Sequence, residues 1–304
     1  MGKTAGLLFA AAYVLLLVFP KMRAQIAFLA AAVFVAAGIV PISRLFSIID
    51  WNVIFMIAGT MGLVSLFVAS GMPALLADLI IERTPSVRWA VISLALFAGL
   101  ISAFIDNVAT VLMVAPIAIS VARKQKIPPS ASVIAVAVSS NLQGAATLVG
   151  DATSILLGSY ARLDFFDFFF FQGKPGLFWV VQAGALIATV VLFLILRNNG
   201  KRVRRPKRTK VNDYFPSLLL ISMVALLILV SFAPTKPKIT NGLICVGLLG
   251  LGLLRQFRNT KDIKDVWDVL AAIDIFTLLL LAGVFVLVGG ITETGVIEGI
   301  GALV

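Results

Sequence analysis

The chain has 304 residues, 61% hydrophobic and 13% charged, with a net charge of +11 and a mean hydropathy of +1.08. Soluble domains are about half apolar and about a quarter charged, so no aqueous core absorbs this excess, and Cys245 as the only cysteine excludes a disulfide scaffold. There are no histidines, which removes His-based metal sites and Ser-His-Asp chemistry. The chain reads as an all-α polytopic membrane protein whose partner is the lipid bilayer. The basic residues sit in short loops between long apolar runs, where they set topology, so no nucleic acid partner is expected. Nothing in the composition calls for a resident metal or cofactor.

Apolar runs suited to crossing a bilayer, at about 20 residues each, fall at 5–19 and 24–40, then at 52–70. The first follows Lys3 and precedes Lys21 and Arg23 without a small-residue cleavage motif, so it reads as a retained span rather than a signal peptide. Met1-Gly2-Lys3-Thr4 lacks the upstream part of a phosphate-binding loop. Pro73 to Arg83 reads as an interfacial helix leading to 88–122, which is too long for one crossing and is interrupted at Asp106-Asn107 and Pro116. A re-entrant hairpin accounts for it. A polar, glycine-bearing span follows at 130–158, and Phe165 to Phe171 with Asp164 and Asp167 read as an interfacial aromatic belt. The remaining runs are 177–196, 215–233, 239–254 and 271–291; the first run of all and 239–254 look short.

Arg197 to Lys210 carries eight basic residues and no acid, which places it in the cytoplasm of an inner-membrane protein. Alternation from there, with 88–122 as a hairpin entering and leaving on the inner side, puts 19 of the 25 basic residues inside. The five full crossings before the basic linker are odd in number, so a second copy of the unit would lie inverted. Ile49-Asp50, Ala58-Gly59, Val64 and Gly71 recur at a constant offset of 224 as Ile273-Asp274, Ala282-Gly283, Val288 and Gly295. Inverted repeats flanking a midplane site mark secondary transporters. The expected organisation is a first repeat over 1–196, a linker over 197–214 and the start of a second repeat over 215–304. The partner of Asp106 would fall beyond Val304. Gly283, Gly289 and Gly290 would then face lipid or a void.

Only Asp106 and Asp151 of the fourteen acidic residues sit deep in apolar sequence, where an ionised group costs at least ~2.5–3.5 kcal/mol and faces a cavity or a partner. Around Asp106 the run Ser102-Ala103-Phe104-Ile105-Asp106-Asn107-Val108-Ala109-Thr110 favours a turn and a helix start. Ser139 to Ser154 carries too many polar side chains and glycines for a lipid-facing helix and reads as a span unwound in its middle. The alternative readings are an aspartate that only caps a helix and small polar residues that only cement helix contacts.

These two stretches resemble the paired motifs of the ion transporter superfamily: Ser102-Ala103-Phe104-Ile105-Asp106-Asn107-Val108 with Pro116, and Gly144-x-x-Thr147-x-x-Gly150-Asp151. The arsenite-permease, NhaD-type antiporter and P protein group is the branch most alike, with citrate-transporter-like permeases as relatives. The resemblance implies inverted repeats, each with a re-entrant hairpin and a broken helix, and an elevator-like alternating access. It also implies a homodimer for the complete carrier. Two positions depart from the relatives: Asp106-Asn107-Val108 stands where dicarboxylate carriers have Ser-Asn-Thr, and Ala152-Thr153-Ser154 stands where many have Pro-Pro-Asn. A fixed carboxylate at the tip repels a di- or tricarboxylate unless it is protonated or paired with a cation.

The expected function is therefore secondary transport of a small ion or anion, coupled to Na+ or H+, and not enzymatic. The site residues are Asp106, Asn107, Thr110, Asn141, Gly144, Thr147, Gly150, Asp151 and Ser154, with Asp106 and Asp151 near a coupling ion. Rival readings are a non-transporting fragment, half of a split carrier, or an intramembrane aspartyl protease. The Tyr-Asp and Gly-x-Gly-Asp signatures of such proteases are broken here by Ile105 and by Leu148-Val149.

Overall fold

The computed structural model describes residues 2–124, 128–197, 208–233 and 236–295. Most of the basic linker (198–207), Lys126 and the last residues of the segment read as the start of a second repeat (296–304) lie outside the described residues. Within them the fold is all-α, save for a small antiparallel ribbon pairing Phe170–Phe171 with Lys174–Pro175. The helices are α1 (Gly2–Val18), α2 (Arg23–Ala36), α3 (Ile42–Ile48), α4 (Trp51–Ala69), α5 (Met72–Glu82), α6 (Val87–Ser102) and α7 (Asn107–Lys124), then α8 (Pro129–Gly144), α9 (Ala152–Ala161), α10 (Leu177–Ile195), α11 (Phe215–Ser231), α12 (Thr240–Thr260), α13 (Ile263–Ala271) and α14 (Ile275–Glu293).

Four of them, α4, α10, α12 and α14, are each long and apolar enough to cross a membrane; 19 residues rise about 28 Å, close to the hydrocarbon thickness. The run at 239–254 is not short. Its helix continues through Arg255 and Arg258 to Thr260, because long cationic side chains reach the interface and Arg258 in the last turn favours the negative helix end. The α1–α2 connection turns at Pro20 with a bend of 111°.

The chain divides into two compact units. The first comprises the described residues of Met1–Ile54 and Asp274–Val304. Its core gathers Ala5, Ala12, Ala31, Phe34, Val40, Val286 and Leu287. The glycines of α14 are packed rather than exposed to lipid or a void: Gly283 lies on the Ala27 backbone, Gly289 on Ile48 and Gly290 on Phe34. A Cβ on Gly283 would come 2.7 Å from the Ala27 carbonyl carbon, so close helix approach holds this pair together, as small residues do inside membranes.

The second unit spans Phe55–Ile273. Here Gly59 of α4 plays the same part against α12, where a Cβ would meet the Cys245 carbonyl carbon at 2.6 Å. Gly59 and Gly283 are related by the 224-residue offset, and so are the helices that carry them, since α4 and α14 start and end at matching positions. Asp50 Oδ1 accepts the Val53 amide at 3.2 Å, and Asp274 Oδ1 accepts the Thr277 amide at 3.1 Å. Gly71 and Gly295, which follow the two helices, both take positive φ, +76° and +70°. The sequence repeat is thus also a repeat of caps, helix lengths and turns.

The segment read at Pro73 to Arg83 is helical, as α5, and it holds a carboxylate that the sequence does not mark as buried. Asp78 is 7% exposed because residues 208–212 lie across it. Its Oδ2 accepts the Thr209 amide at 2.9 Å and the Thr209 hydroxyl at 2.7 Å. Arg208 pairs with Glu82 at 2.8 Å, and the Asn212 amide donates to the Ser70 carbonyl.

Replacing Gly59 with valine should force α4 from α12, at a cost of about 1–3 kcal/mol for overpacking. The expected outcome is a lowered thermal transition in detergent, with the buried thiol of Cys245 becoming reactive to maleimide. Gly247→Ala, whose Cβ meets nothing within 4 Å, is the control and should leave both unchanged.

Candidate functional site

Two helices of the second unit break, and the breaks meet. The first interrupts the hairpin between α6 and α7 at residues 103–106. The Asp-Asn pair makes the new start: Asp106 Oδ2 accepts the Ala109 amide at 3.0 Å, and the Asp106 carbonyl accepts the Thr110 hydroxyl at 3.0 Å. The second break separates α8 from α9 at residues 145–151. Asp151 sits at the N-cap in extended backbone (φ −150°, ψ 167°), and its Oδ1 takes the Ser154 amide at 2.8 Å and the Thr153 hydroxyl at 2.6 Å. Both aspartates therefore spend oxygen atoms on the orphan amides of a helix start, as a side-chain cap requires.

Three contacts join the breaks. The Asn107 amide donates to Asn141 Oδ1 at 2.7 Å, the Ser140 hydroxyl donates to the Asn107 carbonyl at 3.1 Å, and the Thr147 hydroxyl donates to the Ala103 carbonyl. Gly150 is the point of closest approach. A Cβ there would overlap the Gly144 carbonyl oxygen and stand 2.8 Å from that of Ser102 and 3.0 Å from that of Ala103. The carbonyl ends of α6 and α8 thus converge on one glycine. Such ends carry partial negative charge.

All the residues singled out in the sequence lie in the two breaks or on the adjoining helix turns, in differing surroundings. Thr110, Thr147 and Ser154 are buried, and so are Gly144 and Gly150; Asp106, Asn107 and Asp151 are half-buried, while Asn141 is exposed. Ser154 donates weakly to the Gly144 carbonyl, at 3.4 Å. Thr110 and Thr147 thus spend their hydroxyls on holding the two turns.

Several further participants are marked by their packing and not by residue type. The Ser102 hydroxyl is fully buried at the end of α6 with no hydrogen-bond partner among the described residues, which is costly unless something else satisfies it. Gln143 and Gln182 exchange two amide hydrogen bonds, each 3.0 Å, tying α8 to α10. Gln182 is the one signal that could have been followed, since a lone amide in an apolar run needs a partner at membrane depth.

An all-α bundle with two helices broken and re-satisfied by each other is a polytopic membrane protein with irregular backbone kept within protein, as membranes demand. The chain belongs to the citrate transporter family, whose model, described as "Citrate transporter", matches residues 13–304. It is similar to an uncharacterized transporter of Mycobacterium tuberculosis, 31% identical over 311 residues covering 98% of this chain and 70% of that protein. It is also similar to the magnetosome protein MamN of Magnetospirillum gryphiswaldense, 26% identical over 266 residues covering 82% of this chain and 57% of MamN. The P protein of Sus scrofa is 32% identical over 116 residues, 38% of this chain and 14% of that protein. The chain is a multi-pass membrane protein of a transporter family.

Gly150→Ala should separate the two breaks, because the added methyl meets backbone carbonyls that cannot rotate away. The expected result is a lowered thermal transition in detergent together with faster amide hydrogen exchange confined to residues 103–107 and 145–151.

Proposed function

We propose that the protein is a secondary active transporter of a small carboxylate anion of the citrate class, coupled to Na+ or H+ at the meeting point of the two helix breaks. The observation that carries this reading is the convergence of the Ser102, Ala103 and Gly144 carbonyls on Gly150, beside the unpartnered Ser102 hydroxyl. A coupling cation would draw on the partial negative charge of these helix ends at the edge of the junction, with Asp151 supplying charge through the oxygen not used in capping. Asn107 and Asn141, which hydrogen-bond to each other, would part to bind the anion. The family description supports citrate as the substrate class.

The two capping aspartates explain why coupling is needed. They already neutralise the positive starts of α7 and α9, so an anion approaching these ends meets fixed negative charge. A cation bound first, or a proton on an aspartate, removes that repulsion and makes anion affinity depend on the gradient. The reading also takes the chain as an inner-membrane protein with its basic loops in the cytoplasm, supported by the distribution of lysine and arginine.

Proteoliposomes holding the protein should take up labelled citrate in a saturable way when a Na+ or H+ gradient is imposed. Asp151→Asn should abolish the dependence on that gradient. Asp106→Asn should do likewise while leaving insertion and expression intact, since the amide is isosteric. If both variants transport normally from pH 5 to pH 8, the aspartates are caps only and the coupling site is wrongly placed.

Orientation is tested separately with Arg123→Cys and Lys261→Cys in a Cys245→Ser background. An impermeant maleimide added to intact cells should label neither; labelling of either reverses the topology.

A further inference from the structure

In the first unit, the bend at Pro20 opens a cleft of about 330 Å³ between the start of α2 and the start of α14. Lys21 and Arg23 line it on one side, with Gln25; Thr277, Phe276 and Leu280 line it on the other. Neither cation is matched by a carboxylate among the described residues. The Arg23 Nε donates to the Leu16 carbonyl at 3.2 Å, which fixes the guanidinium and leaves its terminal nitrogens for a ligand. The acid nearest in sequence on the facing helix, Asp274, is engaged with Thr277 through both oxygens, at 3.1 Å to the amide and 2.6 Å to the hydroxyl. The start of α2 has no side-chain cap, so its first amides add to the positive field.

We infer that this cleft binds the headgroup of an anionic phospholipid, with Lys21 and Arg23 on the phosphate and an acyl chain running along Phe276 and Leu280. The apolar wall selects a lipid over a free anion. Phe276 is 64% exposed and lies one turn before Leu280 on the same face of α14. The cleft sits where α1 ends and both α2 and α14 begin, which is headgroup level for apolar helices of these lengths. Paired cations between membrane helices are a recognised arrangement for acidic headgroups.

The test is binding of short-chain phosphatidylglycerol and phosphatidylcholine to the purified chain in neutral detergent, read by native mass spectrometry. Phosphatidylglycerol should bind about tenfold or more tightly than phosphatidylcholine. The Lys21→Gln/Arg23→Gln variant should bring the two close to parity. Lys21→Gln alone, at an exposed position where misfolding is not a concern, should lower the preference several-fold, and Lys21→Arg should keep it. Two results overturn the inference: a preference that survives removal of both charges, or displacement of phosphatidylglycerol by excess inorganic phosphate, which would make the cleft a site for soluble anions.

Discussion

Inside a bilayer every backbone amide and carbonyl needs a partner from the protein itself, and the candidate site of this chain follows from how that demand is met where helices stop. Each break frees amides at a new helix start and carbonyls at an old helix end. The amides are taken by Asp106 and Asp151. One carbonyl, that of Ala103, is taken by the Thr147 hydroxyl from the opposite break. The carbonyls of Ser102 and Gly144 gather at Gly150, the one residue small enough to let them approach. Two interrupted helices thus satisfy one another incompletely, and the proposed site draws on what they leave over.

The same economy of small residues shapes the packing elsewhere. Membrane helices gain little from burying leucine against leucine, since lipid is equally apolar, and close approach at glycine supplies the contact instead. Gly59 and Gly283 each place α4 or α14 against another backbone, in the second and first units respectively. The repetition extends to capping aspartates and left-handed glycines at the matching offset. The two segments at this offset share the features that fix where the helix begins, where it ends and what it can touch.

Much of this was legible in the sequence. The runs at 52–70, 177–196 and 215–233 match α4, α10 and α11 to within a residue or two, because uninterrupted apolarity of that length leaves few alternatives. The breaks were legible from Asp106-Asn107 and from the glycines around Thr147, residue types that stop helices and then restart them. Less visible were features set by contacts distant in the chain. The burial of Asp78 depends on residues 208–212, some 130 positions further along the chain. The Gln143–Gln182 exchange requires knowing that α8 and α10 are neighbours. Ser102 is one hydroxyl among many, and only its burial without a partner sets it apart.

The central claim is that the facing helix breaks form a single binding site for an anion and its coupling cation. Asn141 is the exposed member of that site, and it is hydrogen-bonded across the junction to Asn107. The most direct test is the maleimide labelling rate of Asn141→Cys in a Cys245→Ser background, measured with and without saturating citrate in Na+ buffer at mildly acidic pH. The expected result is that citrate slows labelling several-fold, and that the protection disappears when Asp151 is also changed to asparagine. Labelling that citrate leaves unchanged would contradict the claim and return both breaks to a purely structural role.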